Sequence, residues 1–150
     1  MKSKLPHVGT TIFSVMSALA NEYQAINLSQ GFPNFPVDQR LISLVQKEMQ
    51  GNVHQYAPMT GLLELREQIV LKIKMHYQRE LDAKNVLVTA GATQAIFATI
   101  QALVHSGEEV VILDPSYDCY ESPVILSGAK PVRIPLSEEF LPDWDHIRSR

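Results

Sequence analysis

The hydrophobic pattern between residues 85 and 136 alternates short apolar runs with a longer helical repeat. Val86–Val88 is an apolar run bounded by polar residues, which is typical of a buried strand. Gln94–Val104 carries apolar residues at helical spacing with only a narrow polar stripe, so we expect a largely buried helix. Gly107 suits the end of that helix, and Val110–Leu113 is a second apolar run. A strand, a helix and a strand with short connections predict a βαβ unit and a parallel sheet.

The remaining segments predict further helices and strands. Residues 1–10 indicate an irregular arm, and Ala25–Leu28 is a short strand-like run. Apolar residues at helical spacing predict helices at 11–24, at 37–49 and at 60–77, where Thr60 is the expected N-cap. After the βαβ unit we expect a short helix at 124–126, a third strand at 130–136 and a helix that begins near Trp144.

The connection between the first predicted strand and its helix has the composition of an anion site. A helix N-terminus carries unpaired N–H groups and roughly half a unit of positive charge. Gly91, Ala92 and Thr93 therefore offer amides and a hydroxyl to an anion such as phosphate. The second strand ends just before Tyr117, which places a ring near the sheet edge where ligands bind in α/β proteins. These residues favour a planar phosphorylated ligand, but a tight turn beside a surface tyrosine fits them about equally well.

Charge, hydropathy and cysteine content restrict the class of protein further. The chain has 150 residues and a net charge of −3, which gives no basic surface to attract nucleic acid or anionic lipid. No apolar run approaches the roughly 18 residues of a membrane span, and the N-terminal sequence lacks the apolar core of a secretory signal. Cys119 is the single cysteine, so an internal disulfide is excluded and a reducing compartment, the cytoplasm by default, is expected.

No sequence motif identifies a catalytic or metal-binding residue. The five histidines and Cys119 lack metal-ligand spacing, and we find no nucleophile elbow, P-loop or dinucleotide glycine fingerprint. We therefore expect no metal, and we interpret Cys119 as a buried, inert thiol rather than a nucleophile. Arg66 lies at the edge of the apolar face of its helix, and we interpret it as part of a surface salt bridge.

Three stretches, taken together in this order and spacing, resemble a known family. They are NLSQGFPNF at 27–35, YAPMTG at 56–61 followed by Leu65-Arg66, and VTAGATQA at 88–95 followed by GEEV at 107–110 and DPSY at 114–117. In these motifs the chain is similar to the N-terminal half of the class I/II aminotransferases, which are fold-type-I enzymes that depend on pyridoxal phosphate. The first two stretches most resemble the methionine aminotransferases and the kynurenine–oxoglutarate transaminases.

The resemblance implies a fold and a domain division. The fold would be α/β, the first part of the three-layer αβα large domain with a mostly parallel sheet, preceded by an N-terminal arm and helix. Residues 1–36 would be the arm, helix and substrate loop on the small-domain side. Residues 37–150 would be the first, incomplete part of the cofactor-binding large domain.

The resemblance also implies roles for individual residues on the cofactor side. Gly91, Ala92 and Thr93 match the turn that holds the cofactor phosphate. Tyr117 matches the aromatic ring that stacks on the pyridine and fixes its plane. Tyr56 matches a tyrosine that reaches the phosphate of the other subunit's cofactor, which implies a homodimer.

Two further residues match positions on the substrate side. Gly31 matches a backbone position that meets the substrate carboxylate, and Phe13 matches an aromatic residue that lines the substrate pocket. With Phe32 nearby, the expected amino donors are methionine, aromatic or other large neutral amino acids, and the acceptor is a 2-oxo acid.

The family's catalytic lysine, which forms a Schiff base with the cofactor, has no match in this chain. In the family it lies far downstream in a Ser-x-x-Lys context, and the residues that bind the pyridine nitrogen and clamp the substrate carboxylate also fall after position 150. We therefore expect no catalytic residue in this chain and no activity of the 150 residues alone. A carbon–sulfur lyase of the same fold, a truncated non-catalytic half-domain and, despite the missing glycine fingerprint, a dinucleotide-binding domain stay open as alternatives.

Overall fold

The computed structural model describes residues 2–31 and 33–149. The pattern of spatial contacts between residues divides the chain into two compact units. The first unit is Met1–Ala25 together with Ala90–Arg150, and the second is Ile26–Thr89. The domain division predicted at residue 36 concerns the complete family fold, and it stays a prediction.

Six α-helices lie within the described residues: α1 (Ile12–Glu22), α2 (Gln39–Met49), α3 (Leu63–Tyr77), α4 (Ala92–Leu103), α5 (Glu121–Leu126) and α6 (Trp144–Arg148). A 3-10 turn follows α3 at Ala83–Asn85. The spacing of apolar residues predicted α1 to α4 to within a few residues at their ends, whereas α5 was predicted only in its second half, Val124–Leu126, and α6 from its start near Trp144. Short polar side chains begin three of them by accepting a hydrogen bond from a backbone N–H of the first turn; they are Thr11, Asp38 and Asp143.

The predicted cap at Thr60 was wrong. α3 begins three residues later, at Leu63. The N–H of Gly61 donates to the carbonyl of Pro58 at 2.8 Å, and Gly61 has a φ of +93°, so a turn separates Thr60 from the helix. The carbonyl of Thr60 accepts a hydrogen bond from the N–H of Val88 at 3.1 Å.

Two parallel strands, β1 (Glu109–Asp114) and β2 (Lys130–Pro135), form the sheet of the first unit. α5 connects them, which makes a βαβ unit and confirms the predicted parallel sheet and the α/β class. The buried side chains that form the core of this unit are Ile112, Val124, Ala129 and Ile134. Ile100 of α4 packs against this core.

The strands predicted at Val86–Val88 and at Ala25–Leu28 are not found among the described residues, so these two predictions were wrong. Val86 does have extended backbone, with φ −108° and ψ 125°. A strand also requires a hydrogen-bonded neighbour, and a short apolar run does not specify one. The observed βαβ unit therefore runs through β1, α5 and β2, and not through Val86–Val88 and α4.

α4 is less buried than its sequence pattern predicts. Every residue of this helix, all of them described, is at least partly exposed, and Phe97 is 43% exposed. The side chain of Gln101 donates to the carbonyl of Pro123 at 2.8 Å, which ties one face of α4 to α5. Because none of the residues of α4 is buried, the expectation of a largely buried helix was wrong.

Apolar surface is exposed in both units. In α1 of the first unit, Ile12, Val15, Met16 and Leu19 are exposed. In α2 the apolar stripe lies largely in solvent, including Leu41, Leu44, Val45 and Met49. Apolar faces of this extent are typical of surfaces that a partner covers.

Candidate functional site

A cavity of about 490 Å³ lies in the first unit, between the loop that follows β1, the helix α1 and the N-terminal half of α4. We call it the Tyr117 cavity. Aromatic and small polar side chains line it, among them Thr11, Phe13, Thr93, Phe97, Tyr117 and Cys119. Its volume and its mainly apolar lining with a few polar groups are typical of a small-molecule site.

Tyr117 and Phe13 form an aromatic wall of the cavity. Their ring centroids lie 6.5 Å apart, and their planes are tilted by 43°. The ring of Tyr120 also contacts that of Tyr117. Their centroids lie 6.1 Å apart with an interplanar angle of 74°, which is a favourable edge-to-face arrangement. Phe13 is half-buried, whereas Tyr117 stays 51% exposed, so part of the Tyr117 ring is accessible to a ligand.

Of the three residues expected to hold a phosphate at the N-terminus of α4, Thr93 is among the described residues that line the cavity, whereas Gly91 and Ala92 are not. Gly91 is the N-cap, with φ 85° and ψ 166°, a backbone region that is essentially restricted to glycine. A Cβ at Gly91 would meet no described atom within 4 Å, so the space at this one position is open. Thr93 lines the cavity, while the exposed Ala92 begins the helix. The N–H groups of this first turn have no acceptor within the helix, and they favour an anion.

The side chain of Gln94 helps to fix this turn. Its Oε1 accepts a hydrogen bond from the N–H of Ala90. This hydrogen bond joins Ala90, the residue before Gly91, to the first turn of α4. The turn is therefore held by the protein's own groups before any ligand binds.

Tyr56 and Gly31 belong to the second unit. Tyr56 is fully exposed, with a relative exposure of 102%, and Gly31 is exposed as well. Phe32, the other aromatic residue expected near the substrate, lies outside the described residues. The roles assigned to Tyr56 and Gly31 stay predictions.

Arg66 does not form the predicted salt bridge. Its Nε donates to the carbonyl of Gly61 at 3.2 Å, and its Nη1 donates to the carbonyl of Ala83 at 3.0 Å. The guanidinium therefore joins the turn before α3 to the 3-10 turn after it. Its position at the edge of the apolar face was the only sequence signal of this contact, and the partners could not be read from it.

Arg133 on β2 makes ion pairs that no sequence pattern indicated. Its Nη2 donates to Oε2 of Glu121 at 2.7 Å, and its Nε donates to Oε1 of the same residue at 3.3 Å. Its Nη1 lies 3.5 Å from Oδ1 of Asp114. The hydrogen bonds to Glu121, with a smaller contribution from the charge of Asp114, raise the pKa of Arg133 above its ordinary value.

Cys119 differs from the prediction of a buried thiol, because it is half-buried and lines the Tyr117 cavity. Among residues 2–31 and 33–149, no group of three or more histidine, cysteine or acidic side chains is placed to hold a metal ion. The same residues include no helix that is both long and apolar enough to cross a membrane.

Comparisons with known proteins identify the family to which the chain belongs. The family model for aminotransferase class I and II matches residues 23–150. The methionine aminotransferase of Escherichia coli (strain K12) is 48% identical over 148 residues, which are 97% of this chain and 38% of that protein. The kynurenine–oxoglutarate transaminase of Dictyostelium discoideum is 32% identical over 133 residues, 87% of this chain and 31% of that protein. The solved structure of YbdL from Escherichia coli, identified as having a methionine aminotransferase function, matches with a TM-score of 0.93 at 46% identity, covering 99% of this chain and 40% of that one.

The chain belongs to the class I and II aminotransferases, because the family model covers most of its length. The resemblance to fold-type-I enzymes of the methionine and kynurenine branches is thereby confirmed. The chain spans 38% of the length of the methionine aminotransferase that it matches. The roles of Gly91, Ala92, Thr93, Tyr117 and Phe13 stay predictions, although the structure places all five in one unit.

Proposed function

We propose that the full-length protein is a pyridoxal-phosphate-dependent aminotransferase. It would move the amino group of methionine, an aromatic or another large neutral amino acid to a 2-oxo acid. The observation that carries this proposal is the Tyr117 cavity, where an accessible aromatic ring and the N-terminus of α4 meet. Family membership supports the type of reaction.

The residues of the Tyr117 cavity fit the cofactor. The hydroxyl of Thr93 and the first-turn amides of α4 would donate hydrogen bonds to the phosphate, whose charge the helix dipole favours. Gly91 leaves the approach open, because no side chain stands there. The Tyr117 ring would stack on the pyridine and fix its plane. When bound, the cofactor supplies the electron sink for bond changes at the substrate α-carbon.

The apolar lining of the cavity supports a large neutral substrate. Phe13 and Phe97 line it together with Val8 and Pro123. These side chains would exclude water and bind an apolar side chain by burying its surface. The name of the Escherichia coli relative, a methionine aminotransferase, supports the same substrate class.

We also propose a homodimer, in which Tyr56 reaches the cofactor phosphate of the second copy. A tyrosine with its whole ring in solvent is suited to an interface, because its apolar body gains from burial and its hydroxyl from a polar partner. Gly31, which is likewise exposed, would present its backbone to the substrate carboxylate. A cytoplasmic location is proposed from the single cysteine of the chain.

An assay of the full-length protein tests the proposal. With pyridoxal phosphate, methionine and a 2-oxo acid, we expect the loss of methionine to match the formation of the new amino acid, with no reaction when the 2-oxo acid is omitted. Release of ammonia and a 2-oxo acid from the donor without any acceptor would identify a carbon–sulfur lyase of the same fold. Failure to bind the cofactor would favour a non-catalytic half-domain.

Residues 1–150 alone are proposed to be inactive. No lysine occurs among the described residues that line the Tyr117 cavity. Three lysines instead form exposed ion pairs: Lys74 with Glu80, Lys84 with Asp82 and Lys130 with Glu109. Borohydride reduction after addition of pyridoxal phosphate tests this statement. A stoichiometric adduct on one lysine together with turnover by these 150 residues would contradict it.

A further inference from the structure

Tyr117 lies in a six-residue segment, Pro115–Tyr120, between the last residue of β1 and the first residue of α5. The segment contains a turn, since the N–H of Tyr120 donates to the carbonyl of Tyr117 at 3.3 Å. The rings of Phe13 and Tyr120 contact the Tyr117 ring itself, whereas the backbone of a surface segment is ordered by what holds its two ends. The position of Tyr117 therefore depends in part on what fixes the residues on either side of the segment, Asp114 and Glu121.

One side chain contacts both ends of this segment. The guanidinium of Arg133 lies 2.7 Å from the Glu121 carboxylate and 3.5 Å from the Asp114 carboxylate. Glu121 receives two parallel hydrogen bonds, from Nε and Nη2, which is the fork geometry that fixes direction as well as distance. Arg133 stands opposite Ile112 in the strand register, whereas Asp114 stands opposite Pro135, so its side chain reaches along the sheet toward the segment.

The same two strands carry a simpler ion pair at their other end. Lys130 and Glu109, which face each other in the register, are 2.7 Å apart. Both are more exposed than Arg133 and Glu121, and the ammonium is a point charge without fork geometry. This pair joins β1 to β2 without touching the segment that carries Tyr117. It is therefore a natural control for a purely structural effect of charge on the sheet.

We propose that Arg133 is a positioning residue that, by bridging Asp114 and Glu121, holds the Pro115–Tyr120 segment so that the Tyr117 ring presents its face to the cofactor. This inference rests on the proposed function for the role of Tyr117, but the bridge itself acts in the free protein. The contribution of such half-exposed ion pairs to global stability is small. We therefore expect Arg133 to affect the local order of the Pro115–Tyr120 segment and not the global stability of the protein.

Two measurements on the full-length protein test the inference. The first is amide hydrogen exchange of peptides that cover residues 115–120, without cofactor, in Arg133→Met, Arg133→Lys and Lys130→Met. We expect Arg133→Met to speed exchange about two- to fivefold, Arg133→Lys to restore part of the protection, and Lys130→Met to leave it unchanged. Glu121→Gln, which weakens the fork and keeps the arginine, should resemble Arg133→Met, and it replaces that variant if Arg133→Met fails to fold.

The second measurement is the visible circular dichroism of bound pyridoxal phosphate, which reports the asymmetry of the cofactor's surroundings. We expect the signal of Arg133→Met to fall while that of Lys130→Met matches the wild type. Equal exchange rates of residues 115–120 in Arg133→Met and wild type, or equally faster exchange in Lys130→Met, would contradict the proposal that the Arg133 bridge orders the segment. Faster exchange with an unchanged cofactor signal would overturn the positioning role. A wild-type protein that binds no cofactor would instead refute the proposed function, while the exchange result would still decide whether the bridge orders the segment.

Discussion

The ring of Phe13 lies 6.5 Å from the ring of Tyr117, centroid to centroid, with the two planes tilted by 43°. Phe13 comes from the second residue of α1, and Tyr117 comes from the loop after β1. More than a hundred residues of sequence separate them, so the contact belongs to the fold and not to any local motif. It places a residue expected to meet the substrate beside one expected to meet the cofactor.

The substrate-binding role proposed for Phe13 predicts a selective effect of Phe13→Ala. Because Phe13 would contact the substrate side chain and not the cofactor, the KM for methionine should rise about tenfold, while the absorption of the bound cofactor stays unchanged. Phe140→Ala is the control, since Phe140 is 69% exposed and does not line the cavity. Loss of cofactor binding with an unchanged KM would assign Phe13 to the cofactor instead.

Three glycines predict a graded series of stability losses on replacement by alanine. At Gly9 a Cβ would meet no described atom within 4 Å and the φ is not positive, so the change should be near neutral. At Gly91 the space is also open, but the glycine-only backbone should cost about 1–3 kcal/mol. At Gly61 a φ of +93° combines with a Cβ only 2.5 Å from Cγ2 of Val88, so the loss should be largest. Urea unfolding gives the order, and equal losses at Gly9 and Gly91 would contradict the backbone argument.

Arg66 should stabilise the second unit. Arg66→Met removes the side-chain donor from the carbonyl of Gly61 and one of two donors from the carbonyl of Ala83, which keeps the N–H of Val86 at 3.1 Å. The free energy of unfolding should fall by about 1–3 kcal/mol. Arg66→Lys should retain part of this, because an ammonium can reach one carbonyl. The control is Arg79→Met, at an exposed position after α3. Equal stability of Arg66→Met and Arg79→Met would show that the two hydrogen bonds contribute nothing.

Acid should weaken two exposed ion pairs independently. Hydrogen bonds from Arg40 hold the pKa of Asp38 below its ordinary value of 3.8, and Lys74 holds the pKa of Glu80 below its ordinary value of 4.5. A carboxylate whose pKa is lowered in the folded state stabilises the fold above its unfolded pKa, and this contribution disappears as pH falls through the folded pKa. Carboxyl NMR titration should show that Arg40→Met raises the pKa of Asp38 only and Lys74→Gln that of Glu80 only. A shift of both by either variant would contradict the two local causes.

Periodicity predicted the helices because it reports a property of each segment alone. β1 was predicted for the same reason, as the apolar run Val110–Leu113, and β2 was predicted as the segment 130–136. Val86–Val88 has a similar composition, and even extended backbone at Val86, but a strand exists only with a neighbour. Which strand a segment pairs with depends on the whole fold, and so does the extent to which α4 is buried.

The candidate site shows the same division. The turn at Gly91 and Thr93 could be predicted, since it is local to the connection into α4, whereas its role in binding an anion stays a prediction. The contact between Phe13 and Tyr117 could not, because it joins distant segments. The same holds for Arg133 and Glu121, whose hydrogen bonds span 12 residues. The fold decides which residues a long side chain contacts, so the pattern of charges along the chain does not predict these contacts.

The most direct test of the central claim compares the binding of pyridoxal phosphate and of pyridoxal, which lacks the phosphate, to the wild type, Thr93→Ala and Thr99→Ala. Thr99 lies on the same helix and is exposed, so it controls for the loss of a threonine from α4. If the N-terminus of α4 holds the phosphate, Thr93→Ala should weaken pyridoxal phosphate binding about ten- to hundredfold and leave pyridoxal binding unchanged, and Thr99→Ala should alter neither. Wild-type affinity of Thr93→Ala for pyridoxal phosphate would contradict the account.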